Sequence, residues 1–137
     1  MYRPEIDGST ILIVDDTLPT VDLIMTHLTR CGFNVLVAQD GMRAISQAEY
    51  AQPDLILMDV MMPGFDGFET CRCLKESDLT RDIPVIFMTS LSDIDHIIMG
   101  FEVGGVDYIT KPADYREVEM RIKTHLALRH LQQSQPV

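Results

Sequence analysis

The chain has 137 residues, the size of one ordinary domain of roughly 100–150 residues, and its 46% apolar and 23% charged content excludes a disordered polymer. Eleven Lys and Arg against 21 Asp and Glu leave a net charge of −10, so direct binding to a nucleic-acid backbone would begin with repulsion. No apolar run approaches the ~20 residues of a membrane span, and residues 1–10 lack the basic start and apolar stretch of a signal peptide, so a cytoplasmic protein with no membrane partner is expected.

Short β-rich runs alternate with helical patterns along the chain. The first strand is read over 10–15, nearly continuous in apolar residues, as in parallel sheets buried on both faces. Val21, Ile24, Met25 and Leu28 then recur at helical spacing, and Cys31-Gly32 supplies a stop, with Gly32 suited to a left-handed cap. A second strand is read over 33–38, and a short helix over 42–50 turns Ala44, Ile45 and Ala48 inward before Pro53 ends it. The third strand, 55–59, runs into the loop Met62-Pro63-Gly64 and a helix over 67–76 with Phe68, Cys71 and Leu74 inward. The fourth, 85–89, leads to a helix marked by Ile94, Ile97, Ile98 and Phe101 that stops at Gly104-Gly105. The fifth, 106–110, is turned by Lys111-Pro112 into a last helix over 115–133.

Five strands alternating with five helices imply right-handed crossovers and an α/β fold: a five-stranded, parallel, doubly wound sheet with helices on both faces. Ligands of such sheets bind beyond the carboxyl ends of the strands. Strand one delivers Asp15 and Asp16 there, strand three Asp59, strand four Thr89 and Ser90, and Lys111 follows strand five. Each residue has an ordinary reading alone, as a solvated turn acid, a helix cap or a surface charge, but six at successive termini of one sheet form a constellation. Three carboxylates held together repel unless a cation neutralises them, and hard oxygen ligands favour Mg2+, with Mn2+ as a substitute. Lys111 adds positive charge from the opposite side, which suits an incoming phosphoryl group bound for a carboxylate nucleophile.

The other chemistry-bearing side chains are read as structural. Cys31, Cys71 and Cys73 are odd in number and are taken as reduced thiols. His27, His96, His125 and His130 contain no histidine pair at the i, i+4 spacing of a zinc-binding helix, so no metal held by nitrogen or sulfur is expected.

With these residues in place the chain resembles the response-regulator receiver domains of two-component signal transduction, the CheY-like superfamily. The resemblance spans about residues 10–131 and is carried by Ile13-Val14-Asp15-Asp16, by Asp59-Val60-Met61-Met62-Pro63 with Gly67, by Met88-Thr89-Ser90 and by Tyr108-Ile109-Thr110-Lys111-Pro112. It implies the flavodoxin-like strand order 2-1-3-4-5, residues 1–9 as an N-terminal extension and 132–137 as a tail or the start of a linker. It implies that Asp59 accepts a phosphoryl group from a histidine kinase or histidine phosphotransfer protein. Asp16, Asp59 and the Met61 backbone carbonyl would hold Mg2+, with Asp15 helping mainly through water. Lys111, Thr89 and Ser90 would bind the phosphoryl oxygens, and Thr89 and Tyr108 would form the switch. The chain is then a signalling switch rather than an enzyme acting on other substrates, either free-standing or cut from a longer regulator.

Two features depart from the commoner pattern: Ala113 follows Lys111-Pro112 where Phe is frequent, and Met61 and Leu91 are apolar at positions that tune dephosphorylation. A Mg2+-dependent phosphohydrolase of the haloacid-dehalogenase type is disfavoured because Met61 stands where those enzymes carry a second Asp. A flavin carrier is disfavoured by the acidic turn Asp15-Asp16-Thr17-Leu18-Pro19, and a phosphorylation-independent interaction domain by the completeness of the site. Pairing of two copies is expected through the helix 4, strand 5, helix 5 face or through the C-terminal helix, where Leu128 and Leu131 lie three residues apart.

Overall fold

In the computed structural model, which describes residues 6–134, the strands are β1 (Thr10–Val14), β2 (Asn34–Ala38), β3 (Leu55–Met58), β4 (Val85–Thr89) and β5 (Asp107–Thr110). The helices between and after them are α1 (Leu18–Arg30), α2 (Gly41–Ala51), α3 (Gly67–Glu76), α4 (Ile94–Glu102) and α5 (Tyr115–Ser134). All strand pairings are parallel and the order is β2-β1-β3-β4-β5. Alternation along each strand divides the core in two. Leu12, Val14, Ile56, Met58, Val85 and Phe87 face α2 and α3. Ile11, Ile13, Leu55, Leu57, Ile86 and Met88 face α1, through Val21, Ile24 and Leu28, and α5, through Val118, Ile122 and Leu126.

The expected strand ends are shortened by a residue at Asp15 and Asp59, which lie just past β1 and β3. The Asp15 and Asp59 N–H groups still donate across the sheet, to the carbonyls of Ala38 and Val14, and both carboxylates stand at its edge. Ala44 and Ala48 of α2, and Phe68, Cys71 and Leu74 of α3, are buried as expected, and Gly32 closes α1 at φ +96°. Helix α3 also carries a capping box the periodicity did not announce, in which Asp66 accepts from the Glu69 N–H and the Glu69 side chain accepts from the Asp66 N–H.

Helix α4 lies where the apolar spacing marks it. Its apolar stripe is turned outward, with Ile94 65%, Ile98 46% and Phe101 50% exposed, and Gly100 is its one buried residue. The reason is close approach: a Cβ on Gly100 would stand 2.8 Å from the Tyr108 ring and 3.2 Å from that of Phe87, so α4 meets the sheet through a glycine. Of the stretch read as an N-terminal extension, residues 1–5 lie outside the described residues. Ile6, however, is buried in the α1–α5 side of the core, and the Gly8 N–H donates to the Gly32 carbonyl. The tail from 135 also lies outside the described residues, and α5 reaches Ser134.

Charged groups tie the last two elements together. Asp107 of β5 accepts from Arg121 Nη1 at 2.8 Å and pairs with His125 Nε2 at 3.1 Å, both on α5. Burial pushes the Asp107 carboxyl up, but its bonds to the Tyr108 N–H, Arg121 and His125 outweigh this and hold it below the ordinary value. A depressed carboxylate contributes stability above its unfolded value that is lost as pH falls through its folded value. Asp107→Asn should therefore cost about 1–3 kcal/mol at neutral pH. In urea unfolding across pH, the gap from wild type should be full above 3.8 and close as the pH falls below it.

Candidate functional site

The sheet order puts β1 and β3 side by side at its centre, and the chain leaves β1 towards β2 on one side and later returns to β3 on the other. That reversal opens the crevice where ligands of doubly wound sheets bind. Asp15 and Asp16 reach it from the end of β1 and Asp59 from the end of β3, and one carboxylate oxygen from each lies within 4.8 Å of the others. Asp15 and Asp59 are buried, whereas Asp16 is exposed.

Backbone amides hold the two buried carboxylates. The Thr17 N–H donates to Asp15 Oδ1 at 2.8 Å and the Met61 N–H to Asp59 Oδ1 at 3.2 Å. The remaining oxygen of each faces one ammonium: Lys111 Nζ donates to Asp15 Oδ2 at 3.0 Å and to Asp59 Oδ2 at 3.3 Å. Burial pushes the Lys111 ammonium down, but the hydrogen bonds and charges of Asp15 and Asp59 outweigh it and hold it above the ordinary lysine value. The loop after β3 is drawn tight by Gly67, where a Cβ would stand 2.2 Å from the Asp59 carbonyl oxygen, and the Gly67 N–H donates to the Val60 carbonyl.

Thr89 is wholly buried at the end of β4, its Oγ1 accepting from the Leu91 N–H at 3.4 Å, and its carbonyl accepts from the Lys111 N–H. Ser90 is exposed and turns its hydroxyl towards the Met61 sulfur, while lining one cleft with Lys111. Tyr108 is partly buried behind the same loop, packed on Phe87 at 6.1 Å between ring centres, and its hydroxyl donates to the Leu91 carbonyl at 2.7 Å. Met61 and Leu91 border a groove of about 750 Å³ beside Asp16, together with Met62, Pro63 and Met99. The structure thus gathers Asp15, Asp16, Asp59 and Lys111 into one cluster and links Thr89 and Tyr108 through Leu91. Sequence reasoning missed the backbone partners, the N–H groups of Thr17 and Met61 and the carbonyl of Leu91, because such groups exist at every residue and carry no side-chain signature.

The chain belongs to the response regulator receiver domain family, whose sequence pattern it matches over residues 11–123. The phosphate regulon transcriptional regulatory protein PhoB of Pseudomonas aeruginosa is 44% identical over 119 residues, covering 87% of this chain and 52% of that protein. The chain spans about half the length of the curated relatives it matches. Among solved structures, the signal receiver domain of a signal transduction histidine kinase from Syntrophus aciditrophicus is 34% identical with a TM-score of 0.81, covering 88% of this chain and 91% of that one. The receiver domain of the sensor histidine kinase PA1611 of Pseudomonas aeruginosa, solved with a magnesium ion coordinated in its active site cleft, is 28% identical with a TM-score of 0.82, covering 88% and 98%. The fold is the five-stranded 2-1-3-4-5 arrangement of CheY-like receivers, and this chain is a receiver domain of two-component signalling. Among the described residues no helix is long and apolar enough to cross a membrane.

The cluster has a mechanical consequence. Removing the ammonium leaves two buried acids without their shared counter-charge, so Lys111→Met should destabilise the protein by about 1–3 kcal/mol. Because Asp59→Asn removes one of the repelling charges, the double variant should recover part of that loss, with a coupling of about 0.5–3 kcal/mol in urea unfolding at low salt without divalent ions.

Proposed function

We propose that Asp59 is the phosphoacceptor of this receiver and that the site works as a phosphorylation-driven switch rather than as an enzyme on other substrates. The observation that carries this reading is the Lys111 ammonium bridging Asp15 and Asp59 beside the exposed Asp16. An Asp59 oxygen attacks the phosphorus of a phosphohistidine on a histidine kinase or phosphotransfer protein. The phosphorus–nitrogen bond breaks, and its electron pair leaves on the imidazole, which takes up a proton. Lys111 trades part of its carboxylate pairing for the arriving phosphoryl oxygens, with Thr89 and Ser90 as hydroxyl donors.

The donor set fits Mg2+: three carboxylates converge, with neither His nor Cys in the cluster. Asp16, Asp59 and the Met61 carbonyl would hold it, with Asp15 acting mainly through water, and Mn2+ would substitute. When bound, it neutralises negative charge on the transferring group. Thr89 already sits at the strand end, and its movement towards a phosphoryl oxygen would release the Leu91 N–H and loosen the loop whose carbonyl holds Tyr108. The receiver spans residues 10–131. Two copies would pair through the α4–β5–α5 face, supported by the exposed Ile94, Ile98 and Phe101, or through the end of α5, supported by Leu128 and Leu131; light scattering with and without phosphorylation reads this directly.

Acetyl phosphate with Mg2+ should add one phosphoryl group by mass spectrometry, and none in Asp59→Asn; full labelling of that variant would overturn the assignment. The phosphorylated state should be long-lived, because the Met61 and Leu91 side chains offer no strong acceptor to orient an attacking water. Met61→Asn with Leu91→Glu should speed its decay by roughly tenfold, about 1.4 kcal/mol of barrier. An unchanged or slower decay counts against this role for the two side chains.

A further inference from the structure

Between the last turn of α1 and the first half of α5 three side chains converge that the acid cluster does not use. His27 and Cys31 stand four residues apart, which puts ring and thiol on one face of α1, and the packing of α5 against α1 brings Glu119 to both. One ligand atom from each lies within 4.8 Å of the other two. His27 Nε2 is 3.1 Å from Glu119 Oε1, and the Cys31 sulfur lies within 4.8 Å of both side chains' ligand atoms. All three side chains are half-buried and open to solvent on one side.

The geometry is close to that of a small tetrahedral ion. Bonds of about 2.0–2.3 Å give edges of roughly 3.3–3.8 Å between ligand atoms, so the His27–Glu119 edge needs only a slight widening. The chemistry is unlike that of the acid cluster, since imidazole and thiolate suit zinc whereas Mg2+ takes oxygen. Charge also balances: a neutral imidazole, a thiolate and a carboxylate carry two negative charges against a divalent ion. Lys123 Nζ donates to the second oxygen, Glu119 Oε2, at 2.7 Å, which orients the carboxylate and leaves Oε1 turned to the other two side chains. No two histidines stand at the i, i+4 spacing of a zinc-binding helix. Here cysteine takes the second helical position, and the third ligand comes from another helix.

We propose that His27, Cys31 and Glu119 form a Zn2+ site that clamps α1 to α5, with a water as the fourth ligand. Binding forms the zinc–sulfur bond and releases the thiol proton to solvent. Co2+ is the probe, added to the whole chain under a phosphine reductant with excess Mg2+ to occupy the acid cluster. One equivalent should produce a thiolate-to-cobalt charge-transfer band, displaced by Zn2+, and Zn2+ should raise the unfolding midpoint. Cys31→Ser, and independently Cys31→Ala, should abolish the band. His27→Gln and Glu119→Gln should each weaken Co2+ binding by at least about 10-fold, since loss of even an outer partner of a ligand costs about 10- to 100-fold, while Cys73→Ser leaves it unchanged. Circular dichroism on each variant shows that the comparison is between folded proteins. Absence of the band in wild type, its survival without Cys31, or undiminished affinity in both His27→Gln and Glu119→Gln would overturn the site.

Discussion

Two buried carboxylates and one exposed carboxylate are held at the centre of a sheet edge, and one lysine shares its ammonium between the buried pair. Like charges this close are tolerated only with compensation, and the fold supplies it from three directions: amides at Thr17 and Met61, and Lys111 from beyond β5. The compensation is incomplete, because one positive charge faces three negative ones. That deficit makes the crevice receptive to a divalent cation, while the ammonium keeps it open to an anion. A site balanced more fully within the chain would have less affinity for either.

The rest of the molecule serves that edge. Buried apolar strands fix β1 and β3 as neighbours, with Ile11 to Val14 of β1 in register with Leu55 to Met58 of β3, so the residues that follow each strand emerge level with one another. Gly67 lets α3 begin against the backbone of Asp59, and the capping box at Asp66 and Glu69 starts that helix at a defined residue. The loop after β3 is thus pinned at both ends. Phosphoryl chemistry needs a carboxylate whose direction is set before the donor arrives.

Most of this architecture was legible in the sequence because it rests on local chemistry. Runs such as Leu55-Ile56-Leu57-Met58, short and set off by Pro53, suit a strand covered on both faces, and the acids, hydroxyls and lysine that follow such runs identify themselves by type. What could not be read depends on distance between elements. Periodicity finds α4 but is silent on which way its stripe faces, since the deciding contact is Gly100 against Tyr108, a feature of absent atoms. Ile6 precedes any recognisable element yet is buried, because it lies over the end of the core that faces α1 and α5. His27 and Glu119 are 92 positions apart, and no spacing rule joins them.

Tyr108 stands on β5, an edge strand of the sheet that among the described residues pairs only with β4. A central strand is clamped by ladders on both flanks, so displacing a side chain there strains two sets of backbone bonds. On β5 the outer flank carries no ladder, and a rotation of the Tyr108 ring is borne by one pairing and by a glycine-lined contact with α4. The sheet is therefore stiff where the carboxylates are aimed and compliant where the aromatic ring meets the surface. In the proposed switch, a charge added at the centre would find its softest outlet at that margin, beside the outward-facing apolar side chains of α4.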